Sequence, residues 1–185
     1  MVSGGSGTGA AGGIPLSPVT AVTVPGDRFT LEGHDLVMVD VGHGDADDNS
    51  VLHVPDLDLV VAGDVIYNGV HMYLGQSATV GFGPWRDAIG KVEALSPRHI
   101  VCGHKNPGLD DDATRTIELT REYLDDANEL LRRESTALGY FTAKIEKYPG
   151  YLGRLILWVT ARALYGLREQ PGEDPRKIIL ASWLG

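Results

Sequence analysis

Alternating apolar and polar positions between residues 27 and 62 predict a meander of short β-strands. The strand-like runs are RFTLE, DLVMVDV, SVLHV and LDLVVA, separated by Gly33, by a polar loop and by a Pro55-Asp56 turn. A further apolar run, HIVC, precedes Gly103 and predicts one more buried strand. We therefore expect four consecutive strands and a fifth strand that follows an intervening helix.

The intervening segment and the second half of the chain carry helical patterns. Residues 84–94 predict a helix with Pro84 in its first turn. After the acidic triplet 110–112, apolar or small residues recur every three or four positions and predict an amphipathic helix. They are Ala113, Ile117, Thr120, Leu124, Ala127 and Leu131. Asp110 or Asp111 is the expected N-terminal cap of this helix.

Two more helices are predicted near the C-terminus, over about 136–147 and, after the Pro149-Gly150 break, over about 151–167. The last helix is the most apolar segment of the chain. We expect it to pack on the domain, and the alternatives are a dimer face or a helix that lies on a membrane surface. The tail from Pro171 ends in the apolar run IILASWL, which we expect to return to the domain.

The N-terminal 26 residues have a different composition from the rest. Residues 1–13 hold six of the 24 glycines and no charged or aromatic side chain, which predicts a flexible leader. Residues 14–26 carry three prolines among β-branched residues, which predicts an extended connector. The domain proper is expected to begin near Asp27.

Composition and charge narrow the class of protein. A chain of 185 residues with 43% hydrophobic residues fits one soluble globular domain. The net charge of −9 disfavours nucleic acid as a partner, and the sequence lacks the apolar run of a membrane span and the pattern of a signal peptide, so we expect a cytoplasmic protein. The single Cys102 lies in a strand-like run and is expected in the core, which leaves His, Asp and Glu as metal ligands.

Three loops place a possible metal ligand beside glycine, each directly after a predicted strand. They contain His43, Asp64 and His104. If these strands lie in one sheet, their loops open at the same edge and can bring the three side chains together. Two imidazoles and one carboxylate suit zinc, iron or manganese. Taken singly, each histidine is also compatible with a plain loop residue, and the aspartate with a cap or turn residue.

The segments around these residues resemble successive motifs of a known superfamily. VDVGHGDADDNSVLHV, LDLVVAGDVIYN and HIVCGHKNPG are similar to the third, fourth and fifth motifs of the metallo-β-lactamase superfamily. The resemblance covers about residues 27–135. It implies an αββα sandwich of two halves and a site with two zinc ions, or iron or manganese. His43 would bind one ion, His104 the other, and the catalytic Asp64 would bridge both.

The resemblance also implies a reaction, which is hydrolysis of an ester, thioester, lactone or amide of a small-molecule substrate by a metal-bound hydroxide. Tyr67, His71 and Lys105 are candidate substrate-binding residues, although aromatic-rich loops and exposed lysines more often have no such role. An acidic loop at residues 45, 47 and 48 is a candidate to orient His43, with a solvated turn as the alternative. His53 and His99 lie in strand-like runs and are expected to be structural.

One hallmark of the superfamily is missing. None of the six histidines belongs to a His-x-His-x-Asp-His motif. The sequence therefore resembles the C-terminal half alone, and we expect an α/β (α+β) half-sandwich with a mixed β-sheet and C-terminal helices. The expected organisation is a leader and connector over 1–26, a metallo-β-lactamase-like half-domain over 27–135 and a helical extension over 136–185.

A half-sandwich exposes an apolar sheet face unless something covers it. We therefore expect a homo-oligomer or association with a separate N-terminal half, unless the C-terminal helices cover that face. The competing hypothesis is a non-catalytic assembly domain, or a homodimer of half-folds, that keeps a vestigial metal site.

Overall fold

The computed structural model of the chain describes residue 20 and residues 22–166. It contains five strands, β1 (Arg28–Leu31), β2 (His34–Gly42), β3 (Asn49–Val54), β4 (Leu59–Gly63) and β5 (His99–Cys102). It also contains two short 3-10 helices and five α-helices, α1 (Ser77–Val80), α2 (Gly83–Ala94), α3 (Ala113–Arg133), α4 (Ala137–Lys147) and α5 (Arg154–Leu164). The predicted leader, most of the predicted connector and the apolar tail lie outside the described residues.

The five strands form one mixed sheet in the order β1-β2-β3-β4-β5. The first four strands pair antiparallel through short turns, as the meander predicts. β5 pairs parallel with β4, because α1 and α2 return the chain to the starting edge before β5 begins. The expected mixed sheet with C-terminal helices is confirmed.

The inner face of the sheet packs on the helices in one core. Val60, Ile100 and Cys102 point to this side and are buried. Trp85 of α2 is fully buried, and its indole N–H donates a hydrogen bond to the carbonyl of Val65 at 2.9 Å. The same core extends to residues of α5, so the helices after residue 136 share it. Burial raises the pKa of the Cys102 thiol to about 12, which agrees with its expected place as a core residue rather than a nucleophile.

The outer face of the sheet is also apolar. One cross-strand row pairs Met38, Leu52, Val61 and Val101 in register. Val61 and Val101 are 37% and 39% exposed. A second row is formed by Phe29, Leu36, Val54 and Leu59. Among the described residues, none of these side chains belongs to the main core, and Leu36 and Val54 are nevertheless buried. The others leave a partly exposed apolar surface on the side away from the helices.

The helices α2 to α5 follow the predicted pattern, with two corrections at their starts, whereas α1 was not predicted. α3 is capped by Asp112, whose side chain accepts a hydrogen bond from the backbone N–H of Arg115, so the expectation of Asp110 or Asp111 was wrong. Asp110 instead pairs with the Arg115 side chain. α5 begins only at residue 154, because Gly153 takes a left-handed conformation with φ of +85° and interrupts the helix predicted from 151. No helix in the described part of the chain is long and apolar enough to cross a membrane.

The cap of α3 gives a direct test of this helix boundary. Replacing Asp112 with Ala leaves the N–H of Arg115 without its side-chain acceptor, so we expect the free energy of unfolding to fall by about 1 kcal/mol. Urea denaturation monitored by circular dichroism measures the change. Glu118→Ala, at an exposed position of the same helix, is the control and should have little effect. Equal stability of the two variants would show that Asp112 is not the cap.

Candidate functional site

The ends of three strands meet at one edge of the sheet. β2 and β4 run in the same direction because each pairs antiparallel with β3, and β5 runs parallel to β4. The loops that carry His43, Asp64 and His104 therefore open at the same edge, as predicted. However, β3 separates β2 from β4, whereas β4 and β5 are direct neighbours.

Asp64 and His104 lie together at the ends of β4 and β5. The distance between Nε2 of His104 and Oδ1 of Asp64 is 3.3 Å. The backbone between them is held by the N–H of Gly103, which donates to the carbonyl of Gly63 at 2.7 Å. A Cβ atom at residue 103 would lie 2.4 Å from Oδ1 of Asp64 and 3.0 Å from the Gly63 carbonyl carbon. The close approach of the two loops thus favours glycine at position 103, since a side chain there would displace the Asp64 carboxylate and press on the Gly63 backbone.

Both ring nitrogens of His43 have partners other than Asp64 and His104. Its Nδ1 atom lies 2.7 Å from the carboxylate of Asp47, and its Nε2 atom lies 3.1 Å from the hydroxyl of Ser77. The side chain of His43 is only 8% exposed. Of the three acidic loop residues considered, Asp47 is the one that contacts this imidazole. The structure therefore brings Asp64 and His104 into contact and keeps both ring nitrogens of His43 in other interactions.

This arrangement does not by itself fit a metal centre. A zinc site normally needs at least three protein ligands. Within residues 22–166, no group of three or more His, Cys, Asp or Glu side chains is placed to hold a metal ion. The Asp64–His104 pair offers two donors, so further ligands would be needed to complete a site.

Tyr67 and Asp45 border the pair. The rings of Tyr67 and His104 stack with centroids 5.4 Å apart, and the Tyr67 hydroxyl donates to Asp45 at 3.4 Å. Burial and the negative charge of Asp64 raise the pKa of Asp45. Burial and the negative charge of Asp45 raise the pKa of Tyr67, so the phenol stays protonated and remains a donor. Asp45 thus belongs with Asp64 and His104, although its position in the sequence suggested a role beside His43.

Tyr67 is also anchored from the opposite side. The hydroxyl of Thr120, on α3, accepts a hydrogen bond from the backbone N–H of Tyr67 at 3.2 Å. This bond is fully buried and ties the loop after β4 to the middle of α3. The position of the Tyr67 ring beside His104 therefore depends on helix packing.

A cavity of about 450 Å³ opens beside His104. Its lining includes all three candidate substrate-binding residues. The lining residues are Asp45, Tyr67, Val70, His71, Tyr73, Gly103, His104, Lys105, Leu152, Gly153 and Ile156. Lys105 is neutralised by Asp111, whose carboxylate lies 2.6 Å from its Nζ atom. The cavity therefore combines a polar end near the pair with an apolar wall from the segment that leads into α5.

His71 lies in a buried cluster of tyrosines behind the cavity. Its Nδ1 atom is 3.0 Å from the hydroxyl of Tyr123. Below the Tyr123 ring lies the buried Nζ atom of Lys144, 3.5 Å from the ring centroid. Burial, with a further contribution from the positive charge of Lys144, lowers the pKa of His71 to about 3. Burial likewise lowers the pKa of Lys144 to about 7. His71 is therefore neutral at physiological pH.

Several residues of this site were not identified from the sequence. Tyr123 and Thr120 sit on the apolar stripe of α3, where the pattern indicates core residues and nothing more. Leu152 and Ile156 belong to the most apolar segment, and their exposure beside the cavity is visible only in the fold. No sequence pattern indicated a role for Ser77. These residues lie more than ten positions away from the motif residues in the sequence, so local patterns could not place them at the site.

Comparison with solved structures identifies proteins with a similar fold. No protein-family model matches the chain, and no curated protein matches it. A metallo-β-lactamase family protein from Thermus thermophilus has a TM-score of 0.50 at 22% identity, covering 87% of this chain and 54% of that chain. A β-lactamase domain protein from Burkholderia ambifaria has a TM-score of 0.52 at 16% identity, covering 87% and 52%. A metallo-β-lactamase from Pontibacter korlensis has a TM-score of 0.46 at 22% identity, covering 56% and 48%.

These neighbours and the mixed sheet define a metallo-β-lactamase-like fold, as the sequence motifs implied. The chain spans about half the length of the solved structures it matches. At these identities the likeness establishes the fold, and the chemistry rests on the residues of this chain.

The close approach at Gly103 generates the second prediction. Gly103→Ala places a methyl group against the Gly63 backbone and the Asp64 carboxylate, so we expect the free energy of unfolding to fall by about 1 to 3 kcal/mol. Gly90→Ala is the matched control, since position 90 lies in α2 with open space around it. This substitution should raise the free energy of unfolding by about 0.5 to 1 kcal/mol. Urea denaturation of both variants measures the difference. A Gly103→Ala protein as stable as the parent would contradict the packing of these two loops.

The burial of His71 generates a pH prediction. Because its pKa is about 3 in the folded protein and about 6.5 when unfolded, the unfolded chain binds the extra proton between these values. The contribution of His71 to the free energy of unfolding is therefore lost as pH falls, by about 2 kcal/mol between pH 7 and pH 5. Urea titrations at the two pH values should show that His71→Gln removes this part of the dependence. An unchanged difference between the two pH values in the variant would mean that His71 is not buried in neutral form.

Proposed function

We propose that this chain is part of a metal-dependent hydrolase for an ester, thioester, lactone or amide, and that Asp64 and His104 are its contribution to the metal centre. The observation that carries the proposal is the Asp64–His104 pair, held 3.3 Å apart at the ends of two parallel strands beside a 450 Å³ cavity. Carboxylate and imidazole are donors that zinc, iron and manganese accept. Zinc is the first choice, with iron or manganese as alternatives.

The remaining ligands and the remaining sheet surface are proposed to come from a complementary half. Three observations support this. The described residues place only two of the predicted ligands together. The outer face of the sheet presents apolar rows with Val61 and Val101 exposed. The chain spans about half the length of its structural neighbours. We propose that a complementary segment, on another polypeptide or joined to this one, packs on the outer face.

Within such an assembly, the residues of this chain have separate roles. Asp64 and His104 would hold the metal with ligands from the complementary half, and His43 would join them if its contacts with Asp47 and Ser77 were released. Tyr67, protonated and stacked on His104, donates a hydrogen bond toward a substrate oxygen. His71 and Lys105 line the cavity that holds the rest of a small-molecule substrate. A cytoplasmic location is proposed on the sequence alone.

A second candidate is a non-catalytic assembly domain, or a homodimer of half-folds with a vestigial site. The specific observation in its favour is His43, because both of its ring nitrogens already have partners within the chain. In that case the outer sheet face would serve association alone. The two candidates differ in whether metal binding depends on Asp64 and His104.

The test begins with the reading frames beside the gene, where we expect a His-x-His-x-Asp-His motif. That polypeptide is co-expressed with this chain, and zinc in the purified complex is measured by elemental analysis after dialysis against a mild chelator. We expect about two zinc ions per complex and none retained by this chain alone. Asp64→Ala and His104→Ala should each lose zinc and abolish hydrolysis of chromogenic ester, thioester and lactone substrates.

His34→Ala is the control, since His34 lies at the opposite end of β2, and it should keep both metal and turnover. A neighbourhood without the motif, or a complex whose turnover survives Asp64→Ala, would overturn the hydrolase proposal. A zinc-free homodimer of this chain, detected by light scattering, would favour the assembly domain.

A further inference from the structure

The loops that follow β4 and β5 contact each other twice. The first junction is the hydrogen bond from the N–H of Gly103 to the carbonyl of Gly63, where the pairing of the two strands ends. The pairing is interrupted beside the Asp64–His104 pair and resumes at a second junction, which is formed by Asn68. The pair therefore lies between two backbone junctions.

Asn68 makes the second junction with its backbone. Its N–H donates to the carbonyl of His104 at 3.2 Å, and its carbonyl accepts from the N–H of Asn106 at 2.7 Å. Because the residue before His104 is bonded at the first junction, the backbone of His104 is attached to the Asp64 loop on both sides. The two junctions together thus fix the point from which the imidazole leaves the backbone.

The side chain of Asn68 attaches the second junction to the end of the His104 loop. Its Nδ2 atom donates to the carbonyl of Asp110 at 2.7 Å, two residues before α3. The opposite orientation of the amide would turn its oxygen toward this carbonyl, acceptor against acceptor, so the nitrogen takes this place. The Oδ1 atom of Asn68 is buried and has no hydrogen-bond partner among the described residues. The side chain therefore acts at this position as a donor.

Asn68 is closely packed under the turn of the His104 loop. Its exposed fraction is 0%. The turn is closed by the N–H of Leu109, which donates to the carbonyl of Asn106 at 3.0 Å. At Gly69, where φ is +69°, a Cβ atom would lie 2.5 Å from Cδ1 of Leu109. The turn thus packs directly on the backbone of residues 68 and 69, and Asn68 cannot shift without moving the His104 loop.

The residue before Asn68 also contacts His104. The ring of Tyr67 stacks on the imidazole with centroids 5.4 Å apart. Residues 67 and 68 therefore contact His104 through both a ring and a backbone hydrogen bond. A shift of Asn68 would change both contacts, so the stack reports on the position of His104.

We infer that Asn68 is a positioning residue for the Asp64–His104 pair, which acts through its side-chain hydrogen bond to Asp110 and its backbone bonds to the His104 loop. The inference deepens the proposed function and rests on it, because it treats the pair as the site of the chemistry. The placement of His104 itself can be measured in this chain without metal or turnover.

The experiment compares the full parent chain with Asn68→Leu and Asn68→Ala by NMR of labelled histidine rings at one fixed pH. Asn68→Leu keeps the size of the side chain and removes the donor. Asn68→Ala removes the donor without adding bulk, so the test does not depend on whether leucine fits. In the parent we expect nuclear Overhauser contacts between the rings of His104 and Tyr67, and an upfield shift of the His104 ring protons caused by the tyrosine ring.

Both signals of His104 should be lost in the two Asn68 variants. The amide proton of Asn106, which donates to the Asn68 carbonyl, should exchange with solvent about fivefold to tenfold faster, as expected for one lost hydrogen bond. A purely structural role of Asn68 would lower the free energy of unfolding and leave the ring signals of the folded protein unchanged. Ring contacts like those of the parent in both variants would overturn the inference.

Two control variants remove comparable donors. Tyr165→Phe removes a hydroxyl that also lies 2.7 Å from a backbone carbonyl, that of Glu134. Arg115→Gln removes the exposed second donor to the Asp110 carbonyl. Both variants should keep the ring signals of His104, and an equal loss of these signals in Tyr165→Phe would overturn the inference.

Zinc affinity of the complex with the complementary polypeptide separates this inference from the proposed function. If His104 binds zinc there, Asn68→Leu should weaken zinc binding about tenfold in competition with a chelator. Lost His104 ring signals together with parent-like zinc affinity would overturn the assignment of His104 as a ligand and support the positioning role. Unchanged ring signals would overturn the positioning role and leave the proposed function standing.

Discussion

The arrangement of this molecule depends on the parallel pairing of β4 with β5 and on the short contact that ends it. The Gly103 N–H reaches the Gly63 carbonyl at 2.7 Å, at a point where a side chain on residue 103 would collide with Asp64. Because the strands are parallel neighbours, Asp64 and His104 leave the sheet at the same height and on the same edge. An antiparallel β5 would place His104 at the far end of the sheet. The backbone contact therefore determines the position of the Asp64–His104 side-chain pair.

Helix packing then fixes what surrounds the pair. α3 contributes Thr120, which holds the backbone of Tyr67, and Tyr123, which contacts His71. α4 contributes Lys144, whose ammonium lies under the Tyr123 ring and donates to its carbonyl. Burial of this cluster lowers the pKa of both His71 and Lys144. The polar wall of the cavity is thus part of the hydrophobic core rather than a mobile surface loop.

The two faces of the sheet have different relations to the rest of the chain. The inner face is sealed by helices, and the outer face keeps apolar rows that include Phe29, Val61 and Val101 in partial contact with solvent. At the same edge, the Asp64–His104 pair offers fewer donors than a metal centre needs. The proposed function accounts for the exposed apolar face and the incomplete ligand set together, through a partner that would supply both. The half-length match to the structural neighbours agrees with this view.

The sequence by itself determined the local elements and the loops that matter. Period-two alternation predicted the strands, and three-and-four spacing predicted α3. Start and break signals such as Pro84 and Pro149-Gly150 predicted the other long helices, and the glycine-flanked motifs predicted the shared edge. These signals are local, since each depends on residues within one or two turns or strands. Tertiary structure decided the rest. In the tertiary structure His43 contacts Asp47 and Ser77, and Asp45 accepts a hydrogen bond from Tyr67. Ile156 lines the cavity, and Tyr123 contacts His71 behind it. Such contacts join residues far apart in the chain, and side-chain direction and helix packing, which no local pattern encodes, select them.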